Sequence, residues 1–129
     1  MPSIFTRIIN GEIPSYKIDE DEHCYAFLDI NPNALGHTLC VPKKEVDKLF
    51  EIDTETYSHL MEFAKRIAGA LAQAVPCKRV GMAVVGLEVP HAHVHLIPIN
   101  EMHEMSFQTK VKIKEDEMIS LVEKIKSKL

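Results

Sequence analysis

The sequence predicts an α+β fold: a five-stranded antiparallel sheet with one long helix, a short N-terminal helix and a C-terminal helix. Three observations carry that expectation. Several short apolar stretches and few helical ones follow the order ββ-β-α-ββ. Only Thr54 to Ala74 sustains a long helical period. The segment between Pro90 and Pro98 alternates His with Ala, Val and Leu, the period-two pattern of a half-buried strand. At 129 residues the chain reads as one domain, 1–129, long enough to bury a real core.

Ser3 to Ile9 is expected to form a short amphipathic helix. Ser3 suits the N-cap, and Ile4, Phe5, Ile8 and Ile9 fall at helical spacing. Asn10-Gly11 ends it and Pro14 prevents its resumption. Ser15 to Glu20 and Cys24 to Ile30 read as two strands joined by the polar turn Asp21-Glu22-His23. Asp29 stands where the second strand leaves the sheet, and from spacing alone a turn-forming role and a ligand contact weigh equally. Gly36 to Pro42 is the third strand, with His37 at its start, and Lys43-Lys44-Glu45 is expected to be a solvated turn. Asp53 caps the long helix, Pro76 stops it, and Tyr57, Leu60, Met61, Ala64, Ile67, Ala68 and Leu71 form its core stripe, leaving His59 at the surface. Arg79 to Val85 should pair antiparallel with the histidine strand across Gly86. Glu101 to Thr109 has little periodicity, and His103 there reads as surface or dimer contact. Lys114 to Leu129 forms the last helix, acidic at its start and lysine-rich at its end in the sense the helix dipole favours, with Met118, Leu121, Val122 and Ile125 as its apolar stripe.

Net charge is −4, from 15 basic and 19 acidic residues, which argues against a general nucleic-acid or anionic-membrane binder. The cysteines Cys24, Cys40 and Cys77 are odd in number and far apart, so a disulfide framework is not expected and a reducing, cytoplasmic setting is. Neither a secretion signal nor a membrane-spanning segment is expected.

On a strand, His91, His93 and His95 emerge on one face while Ala92, Val94 and Leu96 point into the core. Three readings of that face compete: imidazoles satisfied by their surroundings, a metal site, or a reactive floor. His-x-His can present two imidazoles to zinc. Same-face neighbours nevertheless lie roughly 6.7 Å apart, so a single ion takes two of the three at most. A floor with a central reactive group suits phosphate chemistry, because imidazole near neutral pH serves as nucleophile, acid, base or cationic donor.

His91-Ala92-His93-Val94-His95-Leu96-Ile97 resembles the His-φ-His-φ-His-φ-φ motif of the histidine triad (HIT) superfamily. Ile4-Phe5, Ile8-Ile9 and Gly11-Glu12-Ile13-Pro14 resemble the opening of its HINT-like branch. Tyr25 to Pro32 and Gly36 to Lys44 follow in that branch's order and spacing. The likeness covers residues 3 to 98, so the chain divides into a HIT core, 1–100, and a C-terminal extension, 101–129. The resemblance implies a HIT-like fold, a homodimer whose sheets join into one of ten strands, and hydrolase or transferase chemistry at the α-phosphate of a purine nucleotide. It implies that His93 is the nucleophile, forming a nucleotidyl-histidine, while His91, His95 and His37 donate to phosphate oxygens. It also implies that Asp29 binds the ribose hydroxyls and that Ile4, Phe5, Ile8, Phe27, Leu28 and Ile30 line the base pocket. No cofactor is implied, and neither nucleic acid nor membrane is expected as a partner.

Two departures from the branch matter. Several relatives hold zinc through a Cys-x-x-Cys near the N-terminus and two histidines; Ser3 and Thr6 stand at those positions, so no structural zinc is expected. The loop before the histidine strand, Val85-Gly86-Leu87-Glu88, is short, with Glu88 where relatives place a leaving-group serine and Leu87 where they place a glutamine. Glu88 would repel phosphate when ionised, act as a general acid when protonated, or simply face solvent. Against the hydrolase reading therefore stand a low-turnover nucleotide-binding sensor and a histidine-held metal site.

Overall fold

A computed structural model describes all 129 residues. The first helix, α1 (Ile4–Ile9), starts where Ser3 Oγ accepts the N–H of Thr6, and the chain turns away at Gly11, whose φ of +79° only glycine adopts at no steric cost. Strands β1 (Tyr16–Glu20) and β2 (Cys24–Leu28) form a hairpin, its turn held by Asp21 Oδ1 accepting the N–H groups of His23 and Cys24. Strand β3 (Thr38–Pro42), helix α2 (Thr54–Ala74), strands β4 (Arg79–Ala83) and β5 (Val94–Ile99), and helix α3 (Glu115–Lys126) complete the chain. The five strands form one antiparallel sheet in the order β1-β2-β3-β5-β4.

Alternation divides the sheet into two faces. Cys24, Ala26 and Leu28 of β2, Cys40 of β3, and Val94 and Leu96 of β5 meet Leu60, Ala64, Ile67 and Leu71 of α2 in the main core. The buried arc of α2 takes in Phe63, Ala70 and Ala74, while Tyr57, Met61 and Ala68 are only partly covered. The helix is contacted by both the sheet and α3, so its apolar face is wider and turned from the expected stripe. Helix α3 buries the four expected positions, Met118, Leu121, Val122 and Ile125. On the opposite face Tyr25, Phe27, Leu39 and Val41 are covered by Phe5 and Ile8 of α1. This second face carries the histidines.

Three local features differ from expectation. Strand β5 begins at Val94, not His91, because the ladder to β3 ends with the pair Cys40–Val94 and Ala92 N–H donates instead to the Val46 carbonyl at 2.7 Å. Glu45 is not a free turn residue: it accepts from the Ser3 N–H at 2.7 Å and the Thr6 hydroxyl at 2.6 Å, clasping α1. The segment after Asn100 forms a short helical turn, Met102–Met105, capped by the Glu104 carboxylate on the N–H groups of Asn100 and Glu101. Gly36, at φ +90°, passes so close to Val75 and Pro98 that a Cβ there would sit 2.9 Å and 3.0 Å from their side-chain carbons.

Candidate functional site

His93 is held by its neighbour's backbone. Its Nδ1–H donates to the His91 carbonyl at 2.7 Å, which puts the proton of the neutral ring on Nδ1 and leaves the lone pair of Nε2 unshared. Phe5 meets the ring edge-on at 4.9 Å and covers one flank. Burial lowers the basicity of His93, more than the carbonyl bond raises it, so the ring is neutral at neutral pH.

His91 was expected to donate to phosphate, and the structure places it elsewhere. It is fully buried, its Nε2–H donating to the Pro42 carbonyl at 2.7 Å and its Nδ1 accepting from Ser3 Oγ at 2.7 Å. Both ring nitrogens are therefore used, and neither opens to a cavity. The ring serves instead to pin the backbone whose carbonyl holds His93. The Ser3–Thr6–Glu45–His91 cluster also tests the zinc site of some relatives. Two neutral hydroxyls replace thiolates, and the imidazole lone pair is engaged by Ser3, so this donor set does not fit zinc.

His37 and His95 form a coupled pair whose proton positions follow from one backbone amide. Asn33 N–H donates to His37 Nδ1 at 2.9 Å, so His37 carries its proton on Nε2. That proton is given to His95 Nδ1 at 2.9 Å, which leaves the His95 proton on Nε2. Burial is the main cause holding both rings down to about 3, so both are neutral hydrogen-bonding groups at neutral pH. His37 is sealed, 1% exposed, and does not line the cavity, which corrects the expectation that it reaches phosphate directly; its proton goes to His95, which does. Asp29 Oδ2 lies 3.6 Å from His37 Nε2, so Asp29, His37 and His95 approach the spacing of a metal triad. The Asn33 amide excludes that use, because a metal on Nε2 would force the ring proton onto Nδ1, against another N–H.

A cavity of about 480 Å³ opens over these groups. His93, His95, Asp29, Ile4, Phe5 and Glu88 all line it. Asp29 is partly buried, accepts the Asn31 N–H at 2.8 Å through Oδ1, and burial raises its carboxyl above the usual range. Glu88 sits exposed on the loop that forms one wall, next to Leu87, which is 90% exposed. Four expected pocket residues are absent from the walls. Leu28 points to the opposite face of the sheet, under α2, as strand alternation from Phe27 requires. Phe27 and Ile8 lie in the small core that supports Phe5, with Phe27 in edge contact at 5.6 Å. Ile30 is 81% exposed beyond the end of β2.

The remaining walls come from residues that the sequence did not single out. Leu39 of β3, Val85 and Val89 of the loop, and Asn31 contribute one side. Phe107 and Lys110 contribute another, on a strap that leaves the Met102–Met105 turn and crosses the site before α3. Phe107 meets His95 edge-on at 4.6 Å. Its available signal is that it is the sole Phe, Tyr or Trp after Phe63.

Residues 10–102 match the family model described as the HIT domain. The chain is 43% identical over 96 residues to an adenosine 5′-monophosphoramidase of Saccharomyces cerevisiae, an alignment covering 74% of this chain and 61% of that protein. It is 39% identical over 102 residues to an uncharacterized HIT-like protein of Borreliella burgdorferi, covering 74% and 73% of the two chains. Among solved structures it is similar to a Hit-like protein of Bartonella henselae, with a TM-score of 0.86 at 31% identity over 98% of this chain and 96% of that one. A histidine triad nucleotide-binding protein of Sulfolobus tokodaii superposes with a TM-score of 0.82 at 30% identity, covering 96% and 89%.

Proposed function

The chain belongs to the HIT domain family, and from that premise we propose that it is a nucleotide hydrolase or transferase acting at the α-phosphate of purine nucleotides, of the nucleoside phosphoramidate or dinucleoside polyphosphate type. The observation that carries this reading is the Nδ1–H bond of His93 to the His91 carbonyl, which aims an unprotonated Nε2 at a half-enclosed cavity. Two similar yeast proteins, of Saccharomyces cerevisiae and Schizosaccharomyces pombe, carry the name adenosine 5′-monophosphoramidase.

In this mechanism Nε2 of His93 attacks phosphorus, the bond from phosphorus to the leaving nitrogen or oxygen breaks, and the leaving group takes its electron pair. A proton from the cavity side neutralises the leaving group. Water then attacks the nucleotidyl-histidine, the P–N bond to His93 breaks, and a nucleoside monophosphate departs. His95 Nε2–H donates to a phosphate oxygen as charge develops there. The Asp29 carboxylate accepts the ribose hydroxyls, and Ile4 and Phe5 face the base. Single-turnover reaction with an adenylated amine should leave nucleotide on His93, seen by mass spectrometry. Full turnover by His93→Ala would refute the scheme.

One observation favours a low-turnover nucleotide sensor as the second reading: the Val85–Val89 wall offers a carboxylate, Glu88, and no hydroxyl or amide side chain to a leaving group. Micromolar nucleotide binding that depends on Asp29, without release of a leaving group, would select it. The homodimer is part of the same proposal. Helix α3 contacts β1, while β4 pairs on one side only and exposes Met82, so β4 is the edge available for a second sheet.

A further inference from the structure

Apart from a single lysine, the cavity offers no positive charge to an anionic substrate. Its walls include two carboxylates, Asp29 and Glu88. Burial keeps His93 and His95 neutral at neutral pH, and His91 and His37 are sealed away from it. Lys110 is the one Lys or Arg in the lining.

Its placement is built rather than incidental. The strap that carries it is fixed at two points, by Val111 N–H to the Pro32 carbonyl at 3.0 Å and by Asn33 Nδ2 to the Glu104 carbonyl at 3.1 Å. Asn33 is 2% exposed, and its Oδ1 accepts from Lys110 Nζ at 2.7 Å. Phe107 lies under the ammonium, 5.2 Å from it to the ring centroid, and the same ring meets His95 edge-on. One of the three N–H groups of Lys110 is thus spent on Asn33, and two remain. The strap lies beyond residues 10–102, which the family model matches, so this cation comes from the C-terminal extension and not from the matched region.

We propose that Lys110 is the phosphate-binding cation of this cavity, a specificity residue that makes the site select nucleotides over nucleosides. The proposal rests on the nucleotide reading above and deepens it. Asn33 and Phe107 hold the ammonium beside His95, whose Nε2–H faces the same space, so a phosphate oxygen would meet one charged and one neutral donor together. The C-terminal extension thereby becomes part of the binding site.

Binding of AMP and of adenosine to the full chain, measured by calorimetry for wild type, Lys110→Met and Lys110→Arg, tests this. Lys110→Met should weaken AMP roughly tenfold or more, leave adenosine within twofold, and reduce the salt dependence of AMP binding, while Lys110→Arg retains most of the AMP affinity. Equal loss for AMP and adenosine would overturn the proposal, because it would mean that the lysine only shapes the strap or the ribose site. No loss for either would overturn it as well. Turnover of an adenylated amine is followed in parallel. An AMP preference that survives in Lys110→Met while the wild type turns over sinks Lys110 alone, and absent wild-type turnover with an AMP preference that Lys110→Met abolishes sinks the hydrolase reading alone.

Discussion

Replacing His91 by Ala should unfold the protein more readily than replacing any residue that merely lines the cavity. The ring makes two buried hydrogen bonds, to the Pro42 carbonyl and from Ser3 Oγ, and an edge contact with Phe5 at 5.8 Å. The Pro42 carbonyl has no ready replacement, and leaving such a group buried and unpaired costs about 1–3 kcal/mol. Ser3 can turn towards Thr6, so its share is smaller, about 1 kcal/mol. The aromatic contact adds about 0.5–1.5 kcal/mol. Together these give about 3–5 kcal/mol out of a typical total of about 5–15, or a fall in Tm of about 10–15 °C at about 3 °C per kcal/mol. Urea and thermal unfolding at pH 7 measure it, with Ser3→Ala as a companion that removes one bond and should lose about 1 kcal/mol. A His91→Ala protein within 1 kcal/mol of wild type would show that the ring is not the pin described above.

Two pH effects follow from the buried ionisable groups. His37 and His95 are held near 3 in the folded chain and return to about 6.5 on unfolding, so the unfolded state binds more protons below that value. Stability should be fully present above about pH 6.5 and fall as pH drops towards 3, with a slope approaching two protons, about 2.7 kcal/mol per pH unit, near pH 5; urea midpoints between pH 7 and pH 4.5 check this, and a flat profile refutes it. Asp29 has the opposite shift, its carboxyl raised by burial. Nucleotide affinity, if it needs the ionised carboxylate, should therefore weaken on acidification at a pH above the ordinary carboxylate range, and Asp29→Asn should bind more weakly and lose that dependence.

Much of the fold was legible because short elements carried their own punctuation. Ser3, Asp53 and Pro76 mark helix ends that the structure keeps, and the four apolar positions of α3 need no tertiary context. The expected site was legible only as a motif. A period of two placed the three histidines on one side, but it could not say that Pro42 and Ser3, far apart in sequence, would consume both nitrogens of His91. The same alternation, applied to Phe27 and Leu28, would have excluded Leu28 from the pocket. Phe107 and Lys110 left no periodic signal, because an irregular strap is positioned by Asn33 and Pro32, not by its own pattern.

The amide of Asn33 has one more effect, on traffic rather than on binding. By occupying the inner nitrogen of His37 it ends the two-ring chain on a peptide N–H, which neither gives up nor takes a proton, so the chain is a blind alley for protons. His95 could release its own proton only by becoming an anion or by drawing on a neighbour that cannot be resupplied. In the proposed reaction the proton taken by a departing group would therefore come from the cavity side, which Glu88 and Lys110 line, and not through the histidine pair.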